Sequence, residues 1–179
     1  MTEASADLVT LVQAHVAQAP IIQCLAQLYT HDFSEYWVGT SKGELHPDGK
    51  FDAYPLEEYW LRPNWSAFLI MRGVSLAGFA LVNDQTHSGL PANRNVGEFF
   101  IARKHRGQGV GQRAAAALCS LYPGSWEIAV ARKNLAGYKF WRRSINGASR
   151  AKDIRELDAH TDQWDGPIFR FEWQERAGS

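Results

Sequence analysis

Two cysteines in 179 residues, Cys24 and Cys119, are too few and too far apart for a disulfide framework or a thiolate metal site. Both sit among helix-forming apolar residues and read as buried free thiols, the state expected in a reducing cytosol. The six histidines (15, 31, 46, 87, 105 and 160) pair neither with a Cys nor with one another at ligand spacing, so no metal signature exists. No run approaches the roughly 18 apolar residues that a membrane span requires, and Glu3 and Asp7 stand where a secretory leader would be basic. The expectation is a soluble, cytoplasmic protein with no membrane partner. Net charge is missing too, with 19 Lys and Arg against 19 Asp and Glu. Core material is not scarce: 45% of residues are hydrophobic and 12% aromatic, enough for one globular domain over 1–179 and too little chain for a second.

The neutral total hides an asymmetry. Residues 1–60 hold nine acids against two bases (2 − 9 = −7), whereas residues 101–155 hold twelve Lys and Arg against Glu127 and Asp153 (12 − 2 = +10). A basic half suits nucleic acid or a phosphate-bearing small molecule equally. Here the cations are interleaved with a glycine-rich turn and a helix, which favours the small molecule and leaves no nucleic-acid partner to be expected. The acidic first third offers carboxylates, Asp32 and Glu35 among them, for a cationic amine.

Periodicity predicts alternating elements without repeats. A strand over 8–14 precedes a helix over Ala19–Tyr29, whose Ile21, Ile22, Leu25 and Leu28 recur at helical spacing. After an aromatic loop, 31–37, and a polar stretch to about residue 50, a short helix is expected over Tyr54–Leu61, stopped by Pro63. Strands follow over 66–72 and 76–83 as a hairpin, then a loop over 84–95, a strand over 96–102, a helix over 109–121 and a strand over 125–131. A helix over 134–144 and strands over 148–157 and 166–173 complete an α/β domain. Its central sheet should be mixed and mostly antiparallel, of about six to seven strands, with helices flanking it.

Residues 98–111, Glu-Phe-Phe-Ile-Ala-Arg-Lys-His-Arg-Gly-Gln-Gly-Val-Gly, carry the chemistry. An apolar strand ends in a basic glycine turn that opens a helix, a design for gripping a pyrophosphate. Gly107, Gly109 and Gly111 let backbone approach a ligand closely, and the helix start near Val110 presents unpaired N–H groups at the positive end of its dipole. A Walker loop would need Gly-Lys-Ser/Thr where Val110-Gly111-Gln112 stands, and a dinucleotide fingerprint needs G-x-G-x-x-G, not the G-x-G-x-G found. The pattern Arg/Gln-x-x-Gly-x-Gly/Ala, met by Arg106-Gly107-Gln108-Gly109-Val110-Gly111, resembles the acetyl-coenzyme A loop of the GNAT (GCN5-related N-acetyltransferase) superfamily. Asn134-Leu-Ala-Gly-Tyr-Lys-Phe-Trp141, after the strand-like Trp126–Ala131, resembles that family's later signature, in which an Asn opens a helix ending in Phe/Leu-Tyr.

The resemblance implies a GNAT-like fold and acetyl-CoA-dependent N-acetylation of a primary amine, on a small molecule or a peptide, by direct transfer with acetyl-CoA as co-substrate. The alternative is an acyl-CoA-binding or sensing module with weak or no catalysis, and the oligomeric state stays open between monomer and homodimer. By resemblance, the backbone of Phe100, Ile101 and Ala102 faces the pantetheine and acetyl carbonyl. The turn Arg106–Gly111, including Gln108 and Val110, takes the pyrophosphate, and Asn134 and Trp141 border the pantetheine arm.

Amine acetylation needs a base for the amine proton and benefits from an acid for the leaving thiolate. Glu98 is the expected base, since a carboxyl beside Phe99 and Phe100 is open to a raised pKa, with a solvent-facing Glu at the strand's edge as its other reading. The position that usually holds the acidic Tyr is Trp141, whose indole N–H donates a hydrogen bond without serving as an acid. Tyr138, three residues back, is the substitute candidate, with core packing as its other reading.

Overall fold

The computed structural model describes residues 7–175; Glu3 and the outer ends of the expected 1–179 domain lie outside them. A seven-stranded sheet runs in the order β1 (Val9–Gln13), β2 (Ser66–Arg72), β3 (Ser75–Asn83), β4 (Arg94–Ile101), β5 (Gly124–Ala129), β7 (Asp165–Trp173), β6 (Ala151–His160). Every neighbouring pair is antiparallel except β4 and β5. Among the described residues four helices flank it: α1 (Ala19–Ser34), α2 (Glu58–Leu61), α3 (Val110–Leu121) and α4 (Leu135–Asn146).

Alternation along the strands divides the apolar residues between two cores. Phe68, Ile70, Ala80 and Val82 face α3 and α4, meeting Val110, Ala114, Leu118, Trp141 and Ile145. Ala67, Leu69, Phe79 and Leu81 face α1 and α2, meeting Ile22, Leu25, Ala26 and Tyr59.

α1 departs from expectation twice. Its buried stripe is Ile22, Leu25 and Ala26 with Tyr29, whereas Ile21 and Leu28 point outward at 38% and 53% exposure. The spacing allowed either stripe, and the Tyr29 ring, edge-on to Phe79 and Phe100 at 6.0 and 6.2 Å, favours the observed one. Cys24 is consequently exposed, against the expectation of two buried thiols; Cys119 is buried, and burial pushes its thiol up to about 12. The helix also continues through His31-Asp32-Phe33-Ser34, expected as loop, which keeps Asp32 and Phe33 in line with Tyr29.

α2 is shorter than expected because Pro55 drives Tyr54 out of the helical region, leaving 51–57 without regular structure. β6 lies further along than the expected 148–157, with its pairing to β7 slipping between Lys152 and Arg155.

The loop between β3 and β4 is tied down by one buried ion pair. Glu127, 0% exposed, accepts from Arg170 at 2.6 Å and from the His87 and Ser88 amides at 2.5 and 3.1 Å. Arg170 also donates to the carbonyls of Leu90 and Pro91, at 3.1 and 2.7 Å.

Candidate active site

β4 is paired along most of its length with β3 but touches β5 at only two positions, Arg94↔Trp126 and Asn95↔Glu127. Beyond Asn95 the two strands separate, opening a V with unpaired backbone on both sides. A bulge lies just past that vertex. Val82 pairs with Val96 and Leu81 with Glu98, so Gly97 has no partner. Val96, Phe99 and Ile101 therefore share the α3–α4 side while Phe100 lies on the α1 side. Regular alternation through Gly97 would put Glu98 on the face of Val96; with the bulge, Glu98 shares the face of Phe100. A Cβ at Gly97 would stand 2.8 Å from Asn83 Nδ2 and 3.0 Å from Tyr59 Oη, so any larger residue would have to displace that buried pair.

On that face Glu98 meets two phenols. Tyr54 Oη donates to its Oε1, and the Tyr29 phenol lies beside the same carboxylate. The residue retains a little surface exposure, yet its carboxylate is enclosed by protein, and burial pushes its pKa up to about 7 against the opposing pull of the Tyr29 hydroxyl. Tyr29 is pushed well above the usual tyrosine value by burial and by the Glu98 charge. A carboxyl with a midpoint near neutrality at the mouth of an open strand pair can take and release a proton under ordinary conditions.

After β4, a turn of 3₁₀ helix (Arg103–His105) leads into Gly107 and Gly109, both at φ 73°. Gly109 occupies the cap of α3 in the left-handed conformation, and no side chain caps the helix, so its first N–H groups face outward. Gly111 serves packing as well: a Cβ there would press on the Phe140 ring at 3.0 Å.

Two expected side chains are committed elsewhere. Arg106 pairs with Asp32 of α1 and donates Nε–H to the Ile101 carbonyl at 2.7 Å, while Gln108 accepts from Arg72 and donates to the Lys104 carbonyl at 2.9 Å. Asp32 also holds Arg103 at 2.7 Å, so this acid is neutralised and unavailable to an amine. Arg113, one turn into α3, is exposed and lies over Gly109, where a Cβ would meet its Nη1 at 2.9 Å.

Across the V, Asn134 caps α4 by accepting the Gly137 N–H at 2.8 Å, as its sequence position implies. Tyr36 Oη reaches the same oxygen at 3.4 Å and Lys133 Nζ donates to the Tyr36 carbonyl at 3.1 Å, so the loop after α1 arrives at the start of α4. Trp141, 8% exposed, packs on Phe99 and Phe140 at 5.1 and 4.9 Å, on the side of β4 opposite Glu98. Tyr138 does not join this group. It stacks on Phe169 at 5.8 Å and donates to Glu156 on β6 at 2.9 Å, which turns its hydroxyl away from β4 and raises its pKa.

Sequence reasoning missed Tyr29 and Arg113 altogether and did not set Tyr54 apart from six other aromatics of the first third, Phe33, Tyr36, Trp37, Tyr59, Trp60 and Trp65. Of the others, Tyr59 and Trp65 pack on each other at 4.8 Å and Trp60 donates to the Ala14 carbonyl at 2.8 Å. Two surface hollows, beside His46–Ala53 and beside Ala117, Ser120 and Arg150, share no residue with this constellation. No helix among the described residues is long and apolar enough to cross a membrane.

A splayed parallel pair with a bulge at its vertex, followed by an uncapped glycine turn, agrees with what sequence comparison finds. The Acetyltransferase (GNAT) family matches residues 25–145. The chain belongs to that family and is an acetyltransferase. Its fold recurs in an acetyltransferase from Thermus thermophilus at 13% identity, covering 93% of this chain and 96% of that one with a TM-score of 0.61. It recurs in an aminoglycoside acetyltransferase, AAC(6′)-Ib, solved with coenzyme A (12% identity; 93% and 95% covered; TM-score 0.58). RimL, a ribosomal L7/L12 α-N-protein acetyltransferase also solved with coenzyme A, shares it too (15% identity; 95% and 96% covered; TM-score 0.55). Among curated proteins, none matches the chain in sequence.

Proposed function

We propose that this chain is an acetyl-CoA-dependent N-acetyltransferase in which a single domain transfers the acetyl group directly to a primary amine of a small molecule or peptide. The observation that carries the reading is Glu98: a carboxyl with a pKa of about 7, swung by the Gly97 bulge onto the α1 face, beside the open V.

Acetyl-CoA supplies the acyl group as an activated thioester. The residues fit it: the first N–H groups of α3 and the Arg113 guanidinium meet its phosphates, and the open side of β4 at Ile101 borders its extended arm, whereas the Ala102 N–H expected there is given to the Ala77 carbonyl at 2.8 Å. Asn134 and Trp141 line the opposite wall. Glu98 takes one proton from the ammonium form of the acceptor, and the neutral nitrogen so formed bonds to the acetyl carbon as the carbon–sulfur bond breaks. The thiolate then takes its proton from water or from the amine itself, because Trp141 offers no acid and Tyr138 faces β6. We place the enzyme in the cytoplasm.

The same two residues favour the second reading, an acyl-CoA-binding or sensing module. Release of free thiol from acetyl-CoA across a panel of primary amines decides between them. Amine-dependent release abolished by Glu98→Gln supports the enzyme, and coenzyme binding without release on any amine supports the sensor.

A further inference from the structure

Residues 51–54 are fastened to α1 by paired amides. Gln23 donates Nε2–H to the Tyr54 carbonyl at 2.5 Å and accepts the Tyr54 N–H at 3.0 Å. One turn later, Gln27 donates to the Phe51 carbonyl at 3.2 Å and accepts the Phe51 N–H at 2.8 Å. A side-chain amide presents donor and acceptor side by side, as a strand edge does. α1 thus grips the strap through two rungs, and the nearer one fixes both backbone groups of the residue whose phenol reaches Glu98.

We propose that Tyr54 is a positioning residue for Glu98 and that Gln23 serves to seat it. The inference rests on the reading of Glu98 as the base. Burial disfavours the ionised carboxylate, whereas a phenol donating to it favours that form and fixes its rotamer. Tyr54 therefore sets how much Glu98 is available as base near neutral pH.

The groups that face Glu98 are few. Tyr29 comes from α1 and Tyr54 from the strap, while β3 presents Leu81 opposite. Tyr59 of α2 overlies Gly97 and is bound by Asn83. Asp32 is neutralised by Arg103 and Arg106, and Glu127 of β5 by Arg170.

Carbon-13 NMR of protein labelled at glutamate side-chain carboxyls reads the Glu98 midpoint directly and needs no acceptor; Glu98→Gln identifies its resonance. Tyr54→Phe should raise the midpoint by about one unit, a tenfold fall in the ionisation constant. Gln23→Ala, which leaves the phenol intact, should move it the same way, and the double variant no further than Tyr54→Phe alone. A midpoint within about 0.3 unit of wild type in Tyr54→Phe, or full additivity in the double variant, overturns the proposal. Should Tyr54→Phe fail to fold, an unmoved midpoint in Gln23→Ala overturns it. If the midpoints move as expected while Glu98→Gln keeps full turnover, Tyr54 positions Glu98 and the base lies elsewhere.

Discussion

Arg106 reaches back from the glycine turn to Asp32 on α1, so the cation that the sequence motif puts first is already neutralised. Arg113 is the exposed guanidinium over Gly109. Arg113→Ala should weaken acetyl-CoA binding by roughly 1.5–3 kcal/mol, about ten- to a hundredfold, with a shallower salt dependence. Arg106→Ala should weaken it less, through loss of the tie between the turn and α1. Calorimetry at two ionic strengths checks the order; the reverse order would restore Arg106 as the main phosphate contact.

Gly109→Asp tests the turn itself. Asp tolerates a left-handed backbone better than most residues, so the fold should survive, but its carboxylate would stand at the helix start and bind Arg113. Coenzyme affinity should fall more than tenfold by calorimetry. A change within about twofold, under roughly half a kcal/mol, would remove the turn from the coenzyme site.

Glu98→Gln should lower kcat/KM by about 10²–10⁴ and abolish the acidic limb that wild type shows below its midpoint of about 7. The same shift has a stability consequence of the less common sign. Because burial raises this carboxyl in the folded state, the native protein holds the proton more tightly than the unfolded chain. Its stabilising contribution is complete below the ordinary glutamate value and is lost as pH rises through about 7. Glu98→Gln should accordingly gain thermal stability relative to wild type at pH 8, by about 2–4 kcal/mol, and gain little at pH 4. Melting curves at both pH values decide this.

Arg170→Ala should be the most damaging of these changes to stability, because it leaves Glu127 charged, fully buried and short of its cation. A loss of about 3–5 kcal/mol in urea denaturation is expected. Glu127→Gln with Arg170→Met should recover much of it, since removing both charges removes the unpaired one.

The glycine turn and the Asn134 helix were legible because their logic is local: a strand, a conformationally free turn and a cap lie within a few residues of one another. The same locality hid the rest. Arg106 looked free because Asp32 lies 74 residues away and was expected in a loop, not at the end of a continued helix. The apolar neighbours of Glu98 were visible in the sequence, but its face depended on a bulge opposite Leu81, which strict alternation does not reveal. Tyr138 and Trp141 share a helical spacing, yet Glu156 on β6 draws one hydroxyl away while Phe99 receives the other ring.

The parting of β4 from β5 also bears on the life of the protein before any ligand arrives. A sheet ordinarily has two borders where another chain can add, and folds blunt them with charge, bulges or brevity. Here, beyond Asn95, two more borders face each other in the middle of the sheet, flanked by apolar residues such as Phe99, Phe100 and Ile128. The gap admits a slender molecule edge-on, and the bulge at Gly97 spoils its register for an invading strand. Coenzyme in the gap would therefore act as a guard against self-association, and the ligand-free enzyme should be the form that precipitates first on storage.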